Sequence, residues 1–273
     1  MKIKVRSIEY YYEVHQQKKE LPYLVLLHGF LGSSGSFKKI IPFLTPFCNP
    51  ITIDLLGHGE TEGSEMHYRF ATKEQTADII KLISEQFRCP LFLHGYSMGG
   101  RLALQIAIHR PDLIQGLILE STTFGIENEQ ERQARQALDE QRADSLIGSY
   151  DQFIDDWKQL PIFNSAQIGE DDKLTIEKIQ RSQNPLWMSN SLLGFGTGSM
   201  PCLKEKLNLL NMPVQLLVGA KDQKFTNIMK AMHSRINSST IEIFKNSNHR
   251  VHQDQSEHFI KTIKEFIQTN TLP

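Results

Sequence analysis

Apolar residues along this chain fall into two alternating textures. Continuous apolar runs occur at Tyr23-Leu-Val-Leu-Leu27, Ile51-Thr-Ile-Asp54, Pro90-Leu-Phe-Leu-His94, Gly116-Leu-Ile-Leu-Glu120, Val214-Gln-Leu-Leu-Val218 and Thr240-Ile-Glu-Ile-Phe244. Their length predicts strands, and the continuity of the runs before residue 120 predicts burial on both faces. Between them, apolar residues recur at helical spacing over residues 37–44, 72–87, 98–109, 226–235 and 255–268. Residues 2–14 (KIKVRSIEYYYEV) alternate instead, which predicts one or two antiparallel strands at a sheet edge. Strand and helix thus alternate from residue 23 to 120, the pattern of an α/β fold with a doubly wound, mostly parallel sheet.

At about residue 124 the texture changes. Residues 127–142 (ENEQERQARQALDEQR) are strongly polar, and helical segments without strands continue to about residue 203, broken by Pro161, Pro185 and a glycine-rich loop at 194–198. The reading is a core domain of residues 1–123 and 204–273 with an inserted helical cap at 124–203. A length of 273 residues suits one large α/β domain carrying an insertion.

The balance of 30 basic and 31 acidic side chains offers no footprint for nucleic acid or an anionic membrane, which leaves small molecules as the expected partners. Cys48, Cys89 and Cys202 are odd in number and lack metal-ligand spacing. They predict reduced thiols in a cytoplasmic protein. No apolar run suits a signal peptide or a membrane segment.

Chemistry concentrates at Gly95-Tyr-Ser-Met-Gly99, a G-x-S-x-G pattern placed between a predicted strand and a predicted helix. A serine on such a sharp turn projects its hydroxyl clear of the sheet, and the small residues on either side let strand and helix approach. The hydroxyl needs a base and the base an orienting acid. Asp222 follows the strand ending at Val218, and His249 follows the strand ending at Phe244, so Ser97, Asp222 and His249 form the expected triad, with His252 as the rival base. The turn His28-Gly-Phe-Leu-Gly32 ends a strand on the same rim, and the Phe30 N–H is a candidate oxyanion donor. His58 reads as structural. Arg101 lies one helical turn beyond Ser97, where it either meets a carboxylate or serves as a surface cation. Arg132, Arg135 and Arg142 in the cap would ordinarily form a solvated face, as would Arg181.

Several of these motifs together resemble a known family. They are His28-Gly-Phe-x-Gly32, Gly95-Tyr-Ser-Met-Gly-Gly-Arg101, Glu120 with Glu131-Arg-Gln-Ala-Arg135, Asp156-Trp157 with Gln159-Leu-Pro-Ile-Phe163, Arg181-Ser-x-Asn184, Gly219-x-x-Asp-x-Lys-Phe225 and His249-x-x-His252. The chain is similar to α/β-hydrolase-fold proteins, and specifically to the 2-succinyl-6-hydroxy-2,4-cyclohexadiene-1-carboxylate synthases (MenH) of menaquinone biosynthesis. That resemblance implies a lyase releasing pyruvate from a tricarboxylate cyclohexene. It implies that Arg101, Arg135 and Arg181 hold carboxylates and that Tyr96 and Trp157 line the pocket. Phe30 and Met98 would donate to the oxyanion, and no metal or organic cofactor is expected. Asn248 departs from the family, standing where a glycine usually precedes the histidine, and Leu56 replaces a common proline. The rival reading is a serine hydrolase of esters, lactones or carbon–carbon bonds; a third is a non-catalytic receptor.

Overall fold

The computed structural model describes residues 1–165 and 167–271. Its strands are β1 (Lys2–Val5), β2 (Ile8–Val14), β3 (Tyr23–Leu27), β4 (Asn49–Ile53), β5 (Leu91–Tyr96), β6 (Ile114–Glu120), β7 (Val214–Gly219) and β8 (Ser239–Phe244). The helices are α1 (Ile41–Leu44), α2 (Thr72–Gln86), α3 (Met98–His109), α4 (Glu129–Gly148), α5 (Tyr150–Lys158), α6 (Glu170–Arg181), α7 (Pro185–Phe195), α8 (Gln223–His233), α9 (Val251–Asp254) and α10 (Ser256–Asn270).

The eight strands form one sheet in the order β1-β2-β4-β3-β5-β6-β7-β8. β1 pairs with β2, and β2 with β4, antiparallel; from β4 to β8 every pairing is parallel. Successive side chains of a strand point to opposite faces, and both faces here are covered. Val25 and Leu27 of β3 join Leu91 and Leu93 of β5 in one core layer, packed on Leu82 of α2 and Leu102 of α3. Leu24, Leu26 and Phe92 face the other way, against Leu44 of α1 and Phe259 and Ile263 of α10. This two-sided burial is why the runs are continuous rather than alternating.

Most element boundaries fall within two residues of the sequence reading, and two helices depart from it further. The helix expected over residues 37–44 is a 3₁₀ turn, Ser34–Phe37, followed by the single turn of α1, which opens with Pro42 in its first positions. Proline supplies no N–H and so cannot continue a helix that enters from before it. The helix expected from residue 226 begins at Gln223, because the Asp222 side chain accepts from the Phe225 N–H and caps it.

From β3 the chain crosses to β4 on one side, and from β5 it crosses to β6 on the other. This reversal opens a crevice beyond the carboxyl ends of β3 and β5, where ligands bind in open α/β sheets. Between β6 and β7, α4 to α7 lie over that crevice. Leu146, Phe153, Ile154, Met188 and Leu192 of these helices cluster with Leu31 from the turn after β3. Among the described residues no helix is long and apolar enough to cross a membrane.

Candidate active site

Ser97 occupies the turn between β5 and α3 with φ +52° and ψ −106°, a left-handed backbone costly for a serine. The close approach that holds it there depends on glycine. A Cβ at Gly95 would stand 2.4 Å from the Gly99 carbonyl oxygen, and one at Gly99 would stand 2.3 Å from that of Leu27. The Ser97 N–H donates to the Glu120 carbonyl at 2.8 Å, and Thr122 Oγ1 donates to the Ser97 carbonyl at 2.8 Å.

His249 Nε2 lies 3.0 Å from Ser97 Oγ, and His249 Nδ1 lies 2.6 Å from Asp222 Oδ2. Both the histidine and the aspartate are buried. An ionised Asp222 accepts from Nδ1–H, which leaves Nε2 free to accept the serine proton. The loop carrying His249 is tied down locally. Its backbone N–H donates to the Ile162 carbonyl at 3.2 Å, the Asn248 N–H donates to Asp254 Oδ2 at 2.6 Å, and the Asn248 amide donates to the Asn164 carbonyl. Asn248 thus uses its side chain to bridge the loop to the segment after α5.

The turn after β3 is set by His28. The Leu55 N–H donates to His28 Nε2 at 3.0 Å, so the ring proton sits on Nδ1 and is donated to the Gly29 carbonyl at 2.8 Å. Burial lowers the His28 pKa, in keeping with a neutral ring. Among the described residues the N–H groups of Phe30 and Met98 meet no backbone carbonyl, and both residues line the cavity at Ser97. His58 is buried, its ring centre lies 5.2 Å from that of His28, and its Nδ1–H donates to the Leu56 carbonyl at 3.0 Å.

A cavity of about 190 Å³ lies against Ser97 and His249, lined by Arg101, Arg135, Arg142, Lys224, Trp157 and Phe195, with others. Arg101 is buried, donates to the Phe195 carbonyl at 2.5 Å and lies 4.7 Å from the centre of that ring. Burial first, then the like charge of Arg135, brings its guanidinium down to about 9, still protonated at neutral pH. Arg135 forms two contacts of 2.9 Å with Asp139, and Arg142 lies 3.8 Å from the same carboxylate and 5.4 Å from the Trp157 ring centre. Trp157 Nε1 is buried without a hydrogen-bond partner among the described residues. Four cations line this cavity, and of these Arg135 and Arg142 share the Asp139 carboxylate, which leaves the cavity strongly positive, a setting for a small polyanion.

Arg181 stands apart. It is expected in the site, yet it pairs with Asp151 at 2.8 Å, Asp155 at 2.6 Å and Glu177 at 2.8 Å, and does not line the cavity at Ser97. Three carboxylates satisfy its planar fork and tie α6 to α5. Arg142 and Lys224 take places in the cavity wall that the sequence reading did not assign to them. Lys224 was visible only as part of the Asp-x-Lys-Phe motif, and Arg142 only as one cation of a polar helix.

Tyr96 is buried behind the triad, with its ring centre 5.4 Å from that of His249 and 5.0 Å from that of His252. Burial raises its phenol pKa, against the opposing influence of Arg250. His252 does not contact Ser97. Its Nδ1 lies 2.8 Å from Glu120 Oε1, its backbone N–H donates to the same oxygen at 3.0 Å, and His94 Nε2 lies 3.0 Å from Glu120 Oε2. Burial alone would raise the Glu120 carboxyl, but the charge and hydrogen bonds of His252 and His94 bring it down to about 2.

Comparison with known proteins follows the same lines. Residues 24–260 match the model of the alpha/beta hydrolase family. A Bacillus subtilis (strain 168) protein provisionally named 2-succinyl-6-hydroxy-2,4-cyclohexadiene-1-carboxylate synthase is 37% identical over 246 residues, covering 89% of each chain. The synthase of that name from Yersinia pestis is 29% identical over 259 residues, 92% of this chain and 90% of that one. The solved structure of MenH from S. aureus superposes with a TM-score of 0.91 at 33% identity, covering 95% of this chain and 98% of that chain.

Proposed function

From a chain that belongs to the α/β-hydrolase family, and within it to the 2-succinyl-6-hydroxy-2,4-cyclohexadiene-1-carboxylate synthases, we infer an enzyme of menaquinone biosynthesis. It eliminates pyruvate from 2-succinyl-5-enolpyruvyl-6-hydroxy-3-cyclohexene-1-carboxylate. The observation that carries this reading is the pairing of Ser97 and His249 with a cavity walled by Arg101, Arg135, Arg142 and Lys224. A neutral ester would leave the buried Arg101 without a counter-charge among the described residues and Asp139 shared between two arginines, whereas a tricarboxylate supplies the missing charges.

The names of substrate and product define the chemistry. A proton leaves C2, next to the succinyl ketone, the ring double bond shifts, and the C5–O bond breaks to release the enolate of pyruvate, which is then protonated. His249, oriented by Asp222, draws the proton from Ser97 Oγ and makes that oxygen basic enough to take the C2 proton. Charge then develops on the ketone oxygen, where the N–H groups of Phe30 and Met98 serve as donors. Ser97 acts here as a base, with the imidazole as proton reservoir. Trp157 and Tyr96 form apolar walls that keep water from the enolate. Neither step calls for a metal or an organic cofactor, and the reduced cysteines suit a cytoplasmic enzyme.

The test is direct. The wild-type protein, offered the enolpyruvyl cyclohexene, releases one pyruvate for each conjugated diene formed, and the diene is followed by its ultraviolet absorbance. Hydrolysis of simple esters at comparable efficiency, with no pyruvate release, would return the protein to the serine hydrolases.

A further inference from the structure

Ser97 stands between two chambers. Adjoining the cationic cavity, with which it shares Phe30, Ser97, Trp157 and Phe163, is a smaller one of about 50 Å³, walled also by the turn after β3 together with Tyr96, His252 and Arg250. It adjoins an outer cavity of about 370 Å³, with which it shares Phe163, Ile176, Gln180 and Arg250 and which none of the arginines at Ser97 lines.

Arg250 directly follows the base in sequence. Its guanidinium lies 4.2 Å from the centre of the Phe163 ring, and it forms an ion pair with none of the described carboxylates. Arg181, by contrast, is saturated by three. Two further polar atoms in the same wall, His252 Nε2 and Gln253 Oε1, are buried without partners among the described residues. Unmet buried polar atoms beside a guanidinium that none of the described carboxylates neutralises are costly unless a ligand meets them.

We propose that this smaller chamber is the subsite for the enolpyruvyl carboxylate, and that Arg250 anchors it. The inference rests on the pyruvate-elimination reading and adds the placement of the leaving group. C2 and C5 lie across the ring from each other. A ring seated with C2 at Ser97 therefore sends its succinyl and enolpyruvyl arms to opposite sides. The cationic cavity has room and charge for the succinyl and ring carboxylates, and the smaller chamber takes the third. Released pyruvate then departs through the outer cavity, without crossing the arginines that hold the diene product.

The experiment pairs a residue with a functional group. Diene formation is measured for wild-type and Arg250→Gln enzyme, each with the natural substrate and with an analogue whose enolpyruvyl carboxylate is a carboxamide. Arg250→Gln should lower kcat/KM on the natural substrate by roughly 30-fold, mainly through KM, because the contact is made in ground and transition states alike. The wild-type enzyme should lose about as much with the carboxamide, and the variant should lose less than about 3-fold more. Arg250→Lys, which keeps the charge without the fork, should fall between them. Losses that multiply independently, or a variant within about 3-fold of wild type on the natural substrate, would overturn the assignment. Absence of pyruvate release by the wild-type enzyme is a different result, and it would remove the underlying reading as well.

Discussion

Two acid–histidine pairs lie on the same rim of the sheet, their histidines on one short segment. In both, a buried imidazole holds a carboxylate through Nδ1, at 2.6 Å for His249 with Asp222 and at 2.8 Å for His252 with Glu120. They differ at the far nitrogen. His249 Nε2 meets the Ser97 hydroxyl at the cavity, while His252 Nε2 meets no hydrogen-bond partner among the described residues. Pairing a histidine with an acid orients the ring, but the ring becomes a base only where its other nitrogen reaches a group that can give up a proton. Glu120 is spent differently. Its side chain fastens the His252 backbone and two rings, and its own carbonyl accepts the Ser97 N–H. One residue thus holds both the turn that carries Ser97 and the loop that carries His249 and His252.

Removing either partner at the open end should produce the largest effect. Ser97→Ala and His249→Ala should each lower kcat/KM by on the order of 10³-fold or more with the fold intact. Retention of near-normal turnover by either variant would break the contrast at its centre. The same distinction between cavity-facing and protein-satisfied groups divides the arginines. Arg101→Ala should cost roughly 2 to 5 kcal/mol in kcat/KM, the usual penalty for removing one member of a desolvated charge contact.

Acid titration sharpens the role of the closed pair. A Glu120 carboxyl held at about 2, against 4.5 for the free side chain, contributes stability that is fully present above pH 4.5 and is lost as pH falls toward 2. The contribution is on the order of 3 kcal/mol. Urea denaturation of wild-type and Glu120→Gln enzyme should therefore differ by a few kcal/mol near pH 7, and the two curves should converge between pH 4.5 and 2. A constant offset across that range would deny Glu120 this charge-dependent role. His252→Ala should cost about 10-fold or less in kcat/KM, and a loss equal to that of His249→Ala would mean that the two pairs act as one. The smallest effect belongs to Arg181→Ala. Its charge is met by carboxylates at a partly exposed surface, and the loss in kcat/KM should stay under about 1 kcal/mol.

Much of this was legible in the chain itself. Runs such as Tyr23–Leu27 and Leu91–Tyr96 are continuous because both faces of a parallel sheet are buried, and that requirement is written residue by residue. Gly95 and Gly99 mark the elbow because the backbone approach there leaves no space for a Cβ. That Ser97, Asp222 and His249 come within hydrogen-bonding distance of one another follows from their places just beyond three strands, since parallel strands bring their carboxyl ends to one rim. Phe30 falls at that rim for the same reason.

Only the tertiary structure decided which histidine faces the serine and which arginines face the cavity. His249 and His252 are close in sequence and alike in chemistry, and their roles are separated by Glu120, which arrives from β6. Arg181 matched a family motif, yet Asp151 and Asp155 from the preceding helix neutralise it, while Arg142, on an otherwise polar helix, lines the cavity at Ser97. Strand and turn preferences act over a few residues, so a pattern of neighbours reveals them. Whether a charge is free or spent depends on which opposite charges lie within a few ångströms, and long side chains from distant segments settle that only when the chain is folded.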